Sequence, residues 1–298
     1  MLKIIDKWKI WFSLSLIVII IGIGCMIYRG GLNFGIDFKG GTQVIFDLGN
    51  GFNKVQADKI VNEYVNDATT NTVNSNEYEI KSANLTSDQV NEIFNKFKTE
   101  FKVGDKALIS QNRIGASIGK ELTDNAIIAL CIAFICMLIY IAIRFEFKFG
   151  LAALIALFHD ILITVSVYAI FNITVNSPFI AAILTVVGYS MNDSIVIFDR
   201  IRENMKFIKR TSPREVANKS VNQTMARSIN TTSTTLVTII AVYIFVPSVR
   251  DFAFPLIVGI AAGAYSSIFI ASPVWVMLKD RSLKKGNRKK EVVVEELP

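Results

Sequence analysis

Six long apolar runs constrain this chain of 298 residues more than any other feature. A helix needs about 20 such residues to cross roughly 30 Å of hydrocarbon, at 1.5 Å rise per residue. The runs fall at residues 10–28, 125–143, 149–171, 179–198, 228–246 and 252–278. Mean hydropathy is +0.43, which a soluble domain rarely reaches. The pattern predicts an α-helical polytopic membrane protein with six transmembrane helices. Lys3, Lys7 and Lys9 precede the first run, as in a signal peptide. The run is longer than a signal core, and no small-residue cleavage pattern follows, so it reads as a retained span. Trp8, Trp11 and Tyr28 suit its two interfaces.

Charge in the connections orients the spans. The first nine residues hold three Lys and one Asp, and residues 144–148 hold two basic and one acidic. Residues 199–227 hold eight basic and three acidic, and the tail 279–298 holds seven and four. By contrast, residues 172–177 are uncharged, residues 247–251 balance, and the segment 29–121 has eleven basic and twelve acidic residues. Alternate connections are therefore basic, which places both termini in the cytoplasm and 29–121 outside. The net charge of +7 belongs to this pattern rather than to a basic face for nucleic acid.

The chain thus divides into an N-terminal segment with the first span (1–28), an extracytoplasmic domain (29–121), a five-helix bundle (122–278) with a cytoplasmic loop (199–227), and a charged, unstructured cytoplasmic tail (279–298). The outer segment reads as a small α+β domain. Residues 41–48 alternate as a half-buried strand, 77–83 and 106–114 read as two more, and 53–67 carries apolar residues at helical spacing. Thr86 and Gln89 form a capping box ahead of a helix bearing Val90, Ile93, Phe94, Phe97 and Phe101. In the cytoplasmic loop, Ser212 and Pro213 start a helix. Its Val216, Ala217, Val221 and Met225 suggest an amphipathic face toward the membrane surface.

Ionisable groups inside spans are costly and are functional candidates by default. There are three: His159, Asp160 and Asp193. Asp193 sits in an unusually polar stretch, Gly188 to Ser194, about 20 Å along its span from the outside. Arg227, at the cytoplasmic foot of the next span, is placed to act on it electrostatically. The pair suits either ion coupling or a fixed polar contact that sets helix packing. Asp160 lies near mid-bilayer, with the same two readings open. His159 precedes it, but sequence neighbours point about 100° apart on a helix, so the two are not expected to pair. A single hydrogen bond would satisfy His159. The hydroxyl run from Thr231 to Thr235 fits a hydrated path or bonding back to its own helix. Gly259, Gly263, Ala264 and Ser267 make a packing face with no expected chemistry.

No phosphate-binding loop, nucleophile–base pair or metal-ligand spacing appears, so no enzyme activity, cofactor or metal is expected. The three cysteines, Cys25, Cys131 and Cys136, all lie in apolar runs. Any work must draw on an ion gradient.

Several segments resemble one family. Asn33-Phe34-Gly35-Ile36-Asp37-Phe38-Lys39-Gly40-Gly41-Thr42 is similar to the signature opening the outer domain of SecD and SecF proteins. His159 to Thr164 resembles the third span of SecF, and Gly188 through Asn192 and Asp193 to Asn204 resembles its fourth. Asn222-Gln223-Thr224 with Arg227 and Thr231 resembles the start of the fifth. The resemblance covers nearly the whole chain except the tail. It implies an RND-superfamily architecture in the bacterial plasma membrane, a SecD partner, and association with the SecYEG channel and its auxiliary subunits. It also implies proton-driven pulling on an unfolded polypeptide late in export. It puts the proton-coupling Asp at Asp193 and the essential Arg at Arg227, leaves Asp160 and His159 open, and gives Gly35, Asp37, Gly40, Gly41 and Asn192 motif roles. The alternatives are an RND-type exporter subunit for small molecules or lipids, and a scaffold. Sodium would suit the same groups as the coupling ion.

Overall fold

A computed structural model describes residues 3–73, 75–207 and 211–295. Six helical segments are long and apolar enough to cross a membrane. They are α1 (Trp8–Tyr28), α5 (Ala116–Arg144), α6 (Phe147–Phe171), α7 (Pro178–Phe207), α8 (Pro213–Phe245) and the sixth, α9 (Arg250–Ser266) continued by α10 (Ser272–Glu295). A π-helical turn, Ser267–Ala271, joins α9 to α10 and abuts Pro273, which has no N–H to give to the preceding turn.

Between α1 and α5 lies the outer domain. Its elements are α2 (Ile36–Lys39), β1 (Gly41–Asp47), α3 (Lys54–Asn62), β2 (Thr69–Val73), β3 (Glu77–Ser82), α4 (Ser87–Phe101) and β4 (Leu108–Ile114). The four strands form one antiparallel sheet in the order β2-β3-β1-β4. With both longer helices included this is the split βαβ, ferredoxin-like arrangement. Val44, Phe46, Tyr78 and Ile80 meet Ile60, Val61, Val90, Ile93 and Phe97 in its core. The Thr86–Gln89 capping box forms as expected. Strand β2 was not expected from sequence, because Thr69 to Val73 shows no apolar alternation, and all five of its residues are half-buried. Helix α3 ends at Asn62, short of residue 67. Asp67 is occupied instead by the end of β3, accepting from Ser82 Oγ at 2.6 Å and from the Ala83 amide at 3.1 Å.

Within the bundle, α9 packs against α6, α7 and α8, and α1 packs on α6. Small residues allow the close approach. A Cβ on Gly259 would sit 2.4 Å from Val186, one on Gly263 3.0 Å from Ser190, and one on Gly22 2.3 Å from Ser166. Helix α5 stands apart. It meets α6 and α7 near its C-terminal end and α2 at its N-terminal end. Residues 199–227 are largely helical, completing α7 and beginning α8. Among the described residues no separate surface helix forms there. Val216, Ala217 and Val221 are buried in a core with Trp275 and Ile5, because α8 is one helix of 33 residues running from the Ser212 cap into the bundle. The charged tail expected to be unstructured continues α10 as far as Glu295.

Candidate functional site

Helix α6 puts His159 and Asp160 into the bundle, α7 adds Ser190, Asp193 and Ser194, α8 adds Ser228 and Thr232, and the α9–π junction adds Ser266 and Ser267. All these residues except Thr232 are buried. Asp160 is 0% exposed. Its Oδ2 accepts from Ser190 Oγ at 2.5 Å and from Ser266 Oγ at 2.7 Å. Its Oδ1 lies 2.8 Å from His159 Nδ1. The two neighbours therefore do pair, contrary to expectation. Their Cβ atoms diverge, but the imidazole reaches far enough to turn one nitrogen back onto the carboxylate. The ring is stacked on Tyr265 at 6.2 Å, and its Nε2 is buried with no hydrogen bond among the described residues.

Asp193, 6% exposed, has lighter support. Thr232 Oγ1 donates to its Oδ2 at 3.4 Å. Among the described residues no cation lies within ion-pair distance of it. Arg227 is exposed and acts on it through space rather than by contact. Serines lie between the two carboxylates, with Asp193 reached only through the backbone of Ser194. Ser267 Oγ donates to the Ser190 carbonyl at 3.1 Å and lies 2.9 Å from Ser194 Oγ, next in sequence to Asp193. The structure thus brings Asp160, His159 and Asp193 into one buried polar array and leaves Arg227 at its edge. Ser267 belongs to this array and not merely to a packing face. The i, i+4 spacing of Ser190 and Ser194 beside Asp193 was the available signal. Ser266 and Ser267 gave none, because the π turn decides which way they point.

Thr231, Thr234, Thr235 and Thr238 hydrogen-bond back to carbonyls of their own helix. Of the hydroxyl run, Thr232 alone reaches a carboxylate among the described residues. Asn192 is exposed on the far side of α7, beside Thr185, Gly188 and Tyr189 in a surface recess.

The outer signature follows the end of α1. Gly40 and Gly41 take φ of +79° and +150°, and a Cβ on Gly41 would sit 2.5 Å from the Ser82 carbonyl, so no larger residue fits there. Asp37 Oδ2 accepts from the Ser177 amide at 2.8 Å, just ahead of α7. A cavity of about 470 Å³ separates the sheet from the bundle, lined by Asp37, Asn71, Lys81, Asn176 and Asp251 among others.

Comparison with known proteins agrees with this architecture. The sequence profile for "Protein export membrane protein SecD/SecF, C-terminal" matches residues 93–281, and the "SecD/SecF GG Motif" profile matches residues 30–48. The chain is 39% identical over 269 residues to a protein translocase subunit SecF of Alicyclobacillus acidocaldarius, covering 87% of each. It is 37% identical to the one of Sebaldella termitidis, covering 98% of this chain and 99% of that one. Among solved structures, SecDF of Thermus thermophilus superposes with a TM-score of 0.79 at 33% identity, over 93% of this chain and 38% of that one.

Proposed function

The chain belongs to the SecD/SecF family as a SecF-type subunit of the Sec protein-export machinery, and on that premise we propose that it couples a proton gradient to late-stage export through Asp193 and Asp160. One observation carries this reading. Two carboxylates are buried on neighbouring helices with serine hydroxyls lying between them, and among the described residues Asp193 has no cation in contact. A fixed polar contact needs no second carboxylate, and an unpaired buried carboxylate is costly to keep for packing alone.

In this scheme Asp193 binds and releases the proton, and Arg227 biases it from the edge of the site. Asp160 with His159 forms the inner half of the path, and Ser190, Ser194, Ser266 and Ser267 supply hydroxyls that both donate and accept. Fused SecDF relatives, of which this chain spans about two fifths, support a SecD partner for it. The same scheme seats the pair beside the SecYEG channel in the plasma membrane, with both termini cytoplasmic and the outer domain engaging the emerging polypeptide. The chain acts as a non-enzymatic accessory.

The test is export into membrane vesicles that contain the partner complex, with the proton gradient imposed or collapsed. The expected result is that Asp193→Asn assembles normally but exports at the same rate in both conditions. Wild-type stimulation in the Asn variant would make Asp193 a packing contact. A parallel sodium gradient identifies the ion.

A further inference from the structure

The loop 172–177 joins α6 to α7, and so joins the helix bearing Asp160 to the helix bearing Asp193. The segment 33–37 lies along this loop and is bonded to it at successive points. The Val175 amide donates to the Asn33 carbonyl at 2.8 Å, and the Gly35 amide donates to the Val175 carbonyl at 2.9 Å. Together they make a single parallel bridge between Phe34 and Val175. Asn33 Nδ2 donates to Thr174 Oγ1 at 3.4 Å, and Thr69 of β2 meets that same hydroxyl at 3.2 Å. The Asp37 carboxylate takes the Ser177 amide, so it caps α7 from another part of the chain, with its charge at the positive end of that helix. Gly35 permits the contact. A Cβ there would sit 1.9 Å from Asn176 Oδ1 and 2.8 Å from Thr174 Cγ2.

At its other end the segment passes through α2 directly into β1, a central strand of the sheet. The outer domain also meets the bundle elsewhere. Helix α2 packs on α5, β4 runs into α5 through Gly115, β2 rests near the 3-10 turn Pro247–Val249, and Arg29 Nη1 donates to the Ala169 carbonyl at 2.5 Å. The α6–α7 hairpin is therefore hydrogen-bonded to the segment that leads through α2 into β1.

We propose that Asp37, with Gly35 and Thr174, is the positioning element that transmits movement of the α6–α7 hairpin to the outer domain. The proposal rests on the reading of Asp193 as the coupling site. A tilt of α6 against α7, driven by a change of charge at Asp193, displaces the loop. The strap carries that displacement into β1 because its bonds leave the loop no independent freedom. The same bonds must hold throughout the cycle.

Three forms of the full chain, assembled with its partner complex in vesicles, test this. The first is Gly35→Ala with Asp37→Ala. The second is Asp37→Glu, which restores the carboxylate. The third is Thr69→Cys with Thr174→Cys, in a background where Cys25, Cys131 and Cys136 are Ala, compared oxidised and reduced. Two quantities are read: gradient-stimulated export, and the gradient-dependent reactivity of Asp193 toward a hydrophobic carbodiimide. The double Ala variant is expected to lose at least tenfold of the stimulated export while Asp193 reactivity still responds to the gradient. Asp37→Glu is expected to recover a measurable part of it. The oxidised cysteine pair is expected to export within about twofold of its reduced form, since the joined segments already move together. Full stimulation in the double Ala variant overturns the proposal. So does an oxidised tether that blocks export, and the tether decides the matter if the Ala variant does not accumulate. These outcomes leave the coupling reading standing. Continued gradient response in Asp193→Asn, by contrast, removes that reading and the transmission proposal with it.

Discussion

Ser190 and Ser266 both donate to one oxygen of Asp160, and each can be removed without leaving a large cavity. Loss of either hydroxyl withdraws a hydrogen bond from a fully buried carboxylate. We expect Ser266→Ala to lower the stability of the folded chain in detergent by about 1–3 kcal/mol, read from thermal unfolding. Thr238→Ala, on an exposed hydroxyl that only bonds back to its own helix, is expected to change it by less than about 0.5 kcal/mol. Equal effects would mean that the array around Asp160 is not a specific support. The burial of Asp160 and Asp193 within the spans is legible in the sequence, since carboxylates in apolar runs stand out. The partners were harder to read. A hydroxyl's direction depends on helix crossing and, for Ser266 and Ser267, on a π turn that no local pattern announces. The His159–Asp160 pair is not legible from helical spacing, because backbone direction does not fix how far an imidazole reaches.

Elements carry the next set of expectations. Gly259 and Gly24 look alike in sequence, each within an apolar helix. A Cβ at Gly259 would meet Val186 at 2.4 Å and Thr164 at 2.7 Å, whereas one at Gly24 meets nothing within 4 Å. We predict that Gly259→Ala destabilises the bundle by about 1–3 kcal/mol, while Gly24→Ala is neutral or slightly stabilising. Thermal unfolding of the two variants side by side checks this. In the outer domain, Asp58 joins α3 to the sheet. It accepts from Tyr78 at 2.6 Å, from Thr70 at 2.7 Å and from Lys54 at 2.9 Å. Burial alone would raise its pKa, but the bonds from Thr70, Tyr78 and Lys54 outweigh that and hold it below the ordinary carboxylate value. Burial and the Asp58 hydrogen bond push the Tyr78 hydroxyl far above its usual range, so it stays a donor. A depressed folded pKa stabilises the fold above the unfolded value of about 4, and that stability is lost as pH falls through the folded value. The outer domain should therefore become protease-sensitive as pH drops below about 4, and Asp58→Asn should flatten that dependence. An unchanged acid transition in the variant would contradict the assignment. The apolar stripes of α4 and the alternation of β1 were readable because burial writes itself into periodicity. Strand β2 was not, since its threonines and asparagine sit half-buried against β3 and the outer end of the bundle. Helix α8 was divided in the sequence reading because its polar first half hides a face buried against α10.

At the scale of the whole molecule, six spans and one outer domain could be counted from hydropathy and charge. Their connection could not. The strap from Asn33 to Asp37 reads as a motif in sequence, but its purpose depends on the loop 172–177, about 140 residues later, lying under it. The same holds for the serines between the carboxylates, which gather only once α6, α7 and the α9–π junction cross. The account makes this array an ion pathway rather than an adhesive between helices. Proton movement across reconstituted vesicles containing the chain and its SecD partner, followed with an internal pH indicator under an imposed membrane potential, tests that claim most directly. The account predicts potential-driven proton entry for the wild-type pair and its loss, at least tenfold, with Asp193→Asn in an otherwise intact complex. Equal entry in both would contradict it.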